Sequence, residues 1–376
     1  YSQIALIPVY IAYVKSALIL ERYTHQHFLQ QERCMAKAKN RLQALDALRG
    51  IAALGVVLFH YFPYYNELYG HAFTPPDVLE FGRYGVHLFF MLSGFVIFMT
   101  LERTQHAGKF GLARAFRLLP ALWVGIILTF MAVHLLGPPD RTVPLSSALM
   151  NFTLLHSYFN HAHVDGAYWS LVIEVTFYVW MALLFYTLKS WQLLRIVLFG
   201  WIIISYLAVM NMENLSHTML FITHELLFVL YAPLFISGIL LYNWHKSGSL
   251  PAIDVFFLAL AMSHALIAYP APFNIFVLAC YGVFVMAISG YLNFIVNTIT
   301  LWLGSLSYSL YLIHQNIGYG IIDQSYAMGL SGLTGVTMAV VVSFLLATLI
   351  HYYVEKPCLT WFRQRRQKRT PVPVMN

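Results

Sequence analysis

An arginine and a histidine eleven residues apart, Arg49 and His60, bracket an apolar stretch. Eleven residues make about three helical turns, so on a helix the two side chains fall on nearly the same face. A rise of about 1.5 Å per residue puts His60 roughly 16 Å deeper than Arg49. A guanidinium is a permanent cation suited to phosphate or carboxylate. An imidazole is a base or nucleophile near neutral pH, or a structural histidine bonded to a neighbouring helix. Asp46 lies three residues before Arg49, on the same face, where the two can pair. A second chemical signal is Glu174, within an apolar run that follows Tyr168-Trp169-Ser170 and has no cation beside it. Such a carboxylate has to be protonated, paired or solvated, which points to function. Tyr168 and Trp169 read as interfacial aromatics or as a platform for a sugar ring. Further candidates are Ser93, beside Gly94 in an aromatic stretch that permits close helix approach, and the basic segment Lys109–Pro120. Its Arg114 and Arg117 are suited to the phosphates of a soluble cofactor or to a cytoplasmic loop, with Pro120 placed for a helix's first turn.

The elements that must carry these residues are membrane helices. Of 376 residues, 60% are hydrophobic and 10% charged, against about 45–50% and about 25% in soluble domains. A chain facing lipid does not need charge to cover its surface, and helices satisfy their backbone hydrogen bonds internally there. The segments are continuous apolar runs, unlike the alternating strands of about ten residues in a transmembrane barrel. Windows of about 20 residues predict helices over 43–63, 84–101, 118–137, 167–188, 192–210, 219–242, 250–268, 274–293, 301–322 and 330–353. The fold class is therefore an all-α polytopic membrane protein with about ten transmembrane helices.

The formal charge of +7 resides in short loops, so it reads as topology rather than as nucleic-acid binding. With the first helix starting in the cytoplasm, Arg49, Arg103, Lys109, Arg114, Arg117, Lys189, Arg195, Lys246 and Lys356 share that side, while Arg83 and Arg141 face the other. Both ends of the bundle are then cytoplasmic. The three cysteines, Cys34, Cys280 and Cys358, are too scattered for a disulfide framework or a zinc site. His161 and His163 are expected in a solvent-facing loop, and no metal site is expected. Residues 1–34 are set apart as an extension or extra hydrophobic segment, with Met35 a plausible native start. Residues 35–358 form the membrane domain, and 359–376 a basic cytoplasmic tail suited to anionic lipid.

Taken in order, these blocks resemble the membrane-bound acyltransferase 3 family, the carbohydrate O-acetyltransferases of the bacterial inner membrane. The resemblance rests on Arg49-x10-His60, Phe89–Phe95, Arg114-x-x-Arg117-x-x-Pro120, Trp169-Ser170-Leu171-x-x-Glu174, Ser307–His314 and Glu355-Lys356-Pro357. It implies transfer of an acyl group, most often acetyl, from acyl-CoA to a hydroxyl of a polysaccharide, lipid-linked sugar or glycosylated small molecule. No cofactor is expected to stay bound, acetyl-CoA being a co-substrate, and no nucleic-acid partner is expected. On this reading Arg49, Arg114 and Arg117 hold the donor phosphates, and His60 acts as base or takes the acetyl itself. Glu174 orients His60, while Tyr168, Trp169 and Ser93 hold the acceptor. A transporter or flippase for a glycan or lipid-linked sugar is the alternative, with His60 and Glu174 forming a translocation path.

Overall fold

A computed structural model of the protein describes residues 42–368. The predicted N-terminal segment 1–34, Cys34, Met35 and the last residues of the tail lie outside the described residues. Among the described residues every regular element is helical. In chain order the main helices are α1 (Leu42–Tyr69), α2 (Asp77–Glu102), α3 (Ala107–Leu136), α4 (Tyr168–Leu188) and α5 (Trp191–Met210). They continue with α6 (Ala232–Ser247), α7 (Ala252–Ala268), α8 (Phe273–Ser289) and α9 (Thr298–Ala327), and end with α10 (Gly332–Arg365). By length and composition α1 to α5 and α10 can each cross a membrane, and the chain is a multi-pass membrane protein. The polarity is inverted relative to a soluble fold. Val179, Ile196, Leu207, Val341 and Leu345 are exposed, whereas Ser307, Ser309, His314, Gln315 and Asn316 are buried.

Those buried polar residues all belong to α9, which packs against α3 and α10. Its approach to α1 depends on two glycines. A Cβ on Gly50 would collide with the backbone of Gly304, and one on Gly304 with the carbonyl of Asp46. Ten residues beyond this contact in both helices the chains meet again, where His60 touches His314. The two helices therefore run side by side in the same direction. Small residues also let α2 and α6 approach, since Gly94 abuts the Phe235 carbonyl and Gly238 the Met91 carbonyl.

Three predicted boundaries differ in informative ways. The segment Lys109–Pro120 is helical, not a loop, and Pro120 lies inside α3 rather than in its first turn. The stretch predicted as one helix over 219–242 breaks. A π turn over Ile222–Leu226 ends at a left-handed Phe228 (φ 35°), and α6 restarts with Pro233 near its N-terminus. The helix predicted over 330–353 does not end there: a π turn over His351–Glu355 carries α10 onward through Lys356–Lys368. A similar π turn covers His60–Tyr64 and contains Pro63. Proline lacks an N–H and its ring clashes with the carbonyl four residues back. Pro63 and Pro357 thus disturb the α-helical ladder at both places.

The connection between α3 and α4 folds back onto the bundle. The Asn151 amide donates to the carbonyls of Ser147 (2.7 Å) and Ala162 (2.9 Å). Asn316 reaches from α9 to donate to the Val164 carbonyl at 2.9 Å. Buried Asp165 accepts the backbone N–H groups of Ala167 and Asn316, both at 3.0 Å. This holds His161 and His163 half-buried, not solvent-facing, and His156 meets His163 at 2.7 Å. Burial pushes the Asp165 carboxyl up to about 6, against the pull of its two N–H donors and of Arg141. A carboxyl raised in the folded state stabilises most when protonated. Its contribution is full below pH about 4 and is lost as pH rises through about 6. Unfolding in detergent is expected to show a loss on the order of 3 kcal/mol across that window. Asp165→Asn should flatten the profile, and an unchanged slope would contradict the assignment.

Candidate functional site

A cavity of about 150 Å³ opens among α1, α2, α3, α4 and α9, lined by Arg49, Ser93, Arg114, Arg117, Glu174, Tyr178, Ser307, Tyr308 and Tyr311 together with apolar residues. It brings together all three arginines singled out from sequence, plus Ser93 and Glu174. Because α3 begins at Ala107, Arg114 and Arg117 are three apart on one helix face. Gly50 seats Arg49 beside α9 from the other side.

The three arginines are held differently. Arg49 has only the expected loose pairing with exposed Asp46, at 3.7 Å. Arg117 donates to the buried carboxylate of Glu355, which also accepts from Ser309 at 2.9 Å and meets His351 at 3.2 Å. Arg114 stands 5.9 Å from the Phe110 ring centre, and its buried Nε has no hydrogen-bond partner among the described residues. One cation is therefore locked in place while a second keeps an N–H free for an anion.

The carboxylate expected to orient His60 does something else. One oxygen of Glu174 accepts from the Ser93 hydroxyl and, at 2.5 Å, from the Tyr178 hydroxyl. Glu174 sits on the same wall as the arginines and, among the described residues, makes no hydrogen bond or ion pair with His60. Ser93 is accordingly a ligand of Glu174. Tyr168 does not stand at an open mouth: it is fully buried, and its hydroxyl donates to the Leu312 carbonyl at 3.1 Å. Trp169 packs on Tyr231 and Phe90, with ring centres 5.3 and 6.1 Å away.

His60 does not line the arginine cavity. Its Nδ1 lies 2.8 Å from the Val56 carbonyl and 3.1 Å from Nε2 of His314. The two imidazoles meet edge to face, with ring centres 4.9 Å apart. Tyr311 lines the cavity, and its ring lies 5.7 Å from that of His314. Cavity, Tyr311, His314 and His60 are therefore successive neighbours. Sequence reasoning quoted His314 at the end of the Ser307–His314 segment but gave it no partner. It gave Glu355 none either, although both are ionisable groups within apolar runs, the same signal that singled out Glu174.

With this geometry in hand, comparison with known proteins is informative. The family described as "Acyltransferase domain" matches residues 42–352. Among curated proteins the chain is similar to "Nodulation protein 10" of Rhizobium leguminosarum bv. viciae, 26% identical over 133 residues. That match covers 30% of this chain and 36% of the relative, so it spans only about a third of the relative's length. No solved structure matches.

The Arg117–Glu355 pair yields a stability test. Removing the arginine strands a buried carboxylate, so Arg117→Leu is expected to cost about 3–5 kcal/mol. Replacing both partners, Arg117→Leu with Glu355→Leu, should recover most of that, because no charge is left unpaired. Unfolding in detergent measures both, and a double variant no more stable than the single one would show that the ion pair is not the origin of the loss.

Proposed function

Because the chain belongs to the acyltransferase-domain family, we propose that it is an acetyl-CoA-dependent O-acyltransferase acting on a carbohydrate hydroxyl. The acceptor is a cell-surface polysaccharide, a lipid-linked sugar or a glycosylated small molecule. The observation that carries this reading is the convergence of Arg49, Arg114 and Arg117 on one cavity. A cluster of half-buried guanidinium groups in a low-dielectric wall is costly unless an anion completes it. The phosphates of a CoA ester supply that charge, and Glu174 on the same wall offsets part of it when the site is empty.

On this proposal the bundle comprises ten membrane-crossing segments with both ends in the cytoplasm, and it resides in the inner (cytoplasmic) membrane. The arginine-lined end then faces the compartment that holds acyl-CoA. The thin pantetheine arm carries the thioester past Tyr311 towards His60. The Nε2 of His60 removes the acceptor's hydroxyl proton as the oxygen attacks the thioester carbonyl. An alternative chemical route has Nε2 take the acetyl first and pass it on.

Two expected outcomes test the reading. Purified protein in nanodiscs receives acetyl-CoA labelled in the acetyl group, with a mixed cell-envelope glycan extract. Label should enter glycan with wild type and fall by at least about 100-fold in His60→Ala. Full transfer by a well-folded His60→Ala would remove His60 from the chemistry. Label that stays on CoA while glycan crosses a sealed vesicle would identify a transporter instead. Arg114→Ala removes a charge-assisted contact, and the donor KM should rise about 10–100-fold with kcat nearly unchanged. An unchanged KM would exclude Arg114 from donor binding.

A further inference from the structure

We propose that His314 is a positioning residue for His60, accepting its Nδ1–H alongside the Val56 carbonyl while the ring carries positive charge. The inference rests on the acyl-transfer reading for its chemistry but on geometry for the assignment of protons. A carbonyl oxygen can only accept. The Nδ1 of His60 lies 2.8 Å from the Val56 carbonyl, so the hydrogen of neutral His60 is on Nδ1. The Nδ1 of His314 lies 2.9 Å from the Tyr311 carbonyl, so its hydrogen is on Nδ1 too. Its Nε2 is then a lone pair, and that atom lies 3.1 Å from Nδ1 of His60. The Nδ1–H of His60 is shared between Val56 and His314, leaving Nε2 of His60 as the basic atom.

His314 is held where this requires it. It is fully buried, whereas His60 is half-buried. The Tyr61 hydroxyl donates to the His314 carbonyl at 2.5 Å, and the Ser343 hydroxyl, 2.6 Å away, donates to Tyr61 in turn. A side chain on Gly318 would collide with the Tyr61 ring, so this clamp needs glycine one turn beyond His314. Three helices, α1, α9 and α10, thus converge on a single imidazole.

The chemistry balances without moving the shared proton. The acceptor's O–H proton passes to Nε2 of His60, and the oxygen's electron pair forms the new C–O bond at the thioester carbonyl. The C–S bond breaks, and the sulfur leaves with the proton returned from Nε2. Between the two transfers His60 is an imidazolium in a region with little water. Its Nδ1–H then meets the lone pair of His314, an interaction stronger in the transition state than in the ground state. The arrangement parallels the part played by a carboxylate behind a catalytic histidine, with a neutral imidazole as acceptor.

Two measurements test this. In wild-type protein, 15N NMR of the ring nitrogens, assigned by difference against His60→Ala and His314→Gln, should show both histidines as Nδ1–H tautomers. A protonated Nε2 on either neutral ring would overturn the proposal whatever the activity. In turnover assays His314→Leu, which removes the acceptor, should lower kcat about 100-fold with the donor KM unchanged within about twofold. His314→Gln, which offers an amide oxygen as acceptor, should retain kcat within about tenfold of wild type. Equal losses in both variants, or a Leu variant as active as wild type, would overturn it. Wild type inactive on every acceptor would overturn the acyl-transfer reading and this role with it, whereas wrong tautomers in an active protein would overturn this role alone.

Discussion

Polar groups placed in lipid must find partners inside the bundle, and α9 concentrates that requirement. Over Thr298–Ala327 it carries Ser307, Ser309, Tyr311, His314, Gln315, Asn316 and Tyr319, all buried. No lipid-facing position tolerates such a row, so α9 sits where other helices can surround it. Several of these residues recruit a neighbouring helix. Ser309 binds Glu355 of α10, and the Tyr308 hydroxyl reaches the Leu118 carbonyl of α3. Tyr311 holds Ser170 of α4 at 2.6 Å, His314 meets His60 of α1, and Asn316 fastens the connection before α4. Apart from Glu355 of α10 and the connection before α4, these partners come from helices that also surround the arginine cavity.

Two of those partners arrive on π turns, and the reason is local. Pro63 and Pro357 cannot donate to the carbonyl four residues back, and in each case the ladder is re-spaced into a turn that includes the residue of interest. In α1 that turn begins at His60, and in α10 it ends at Glu355. In α10 the extra residue of the π turn shifts Glu355 relative to the preceding turns, whereas in α1 the shift falls on the residues after His60. One irregularity lies at the imidazole that meets His314 and the other at the carboxylate that secures Arg117.

Much of the fold was legible in the sequence because apolar runs of membrane length follow from the solvent rather than from tertiary detail. The helical nature of most segments and the face shared by Arg49 and Asp46 follow from period and hydropathy alone. The grouping of Arg49, Arg114 and Arg117 was expected from the order of the motifs, whereas Ser93 and Glu174, expected beside the acceptor and His60, line the same cavity. What was not legible depends on contacts between distant helices. The partner of His60 is 254 positions away, and Glu174 is closed off by hydroxyls from its own helix and α2. Tyr168 looked like a substrate platform because aromatics at helix ends often face the interface, yet here the α3–α4 connection folds inward and buries it. The basic segment before Pro120 looked like a loop because charge and proline commonly mark one. In lipid, arginines on a helix are equally admissible when they face a cavity.

On the proposed acyl-transfer reading, the separation between the arginine cavity and the histidine pair suits two substrates of opposite character. A phosphorylated donor needs fixed cations near bulk solvent, where Arg49 and Arg117 are still partly exposed. Proton transfer needs a neutral base in a region of low dielectric, and three cations directly beside His60 would oppose its protonation. Placing Tyr311 and His314 between the two keeps the charges apart while leaving them connected through adjoining side chains. Tyr311 belongs to both halves, since its hydroxyl is tied to Ser170 and the Ala167 carbonyl while its own carbonyl orients His314. On the proposed reading, Tyr311 therefore adjoins both the donor's cavity and the histidine that supports His60.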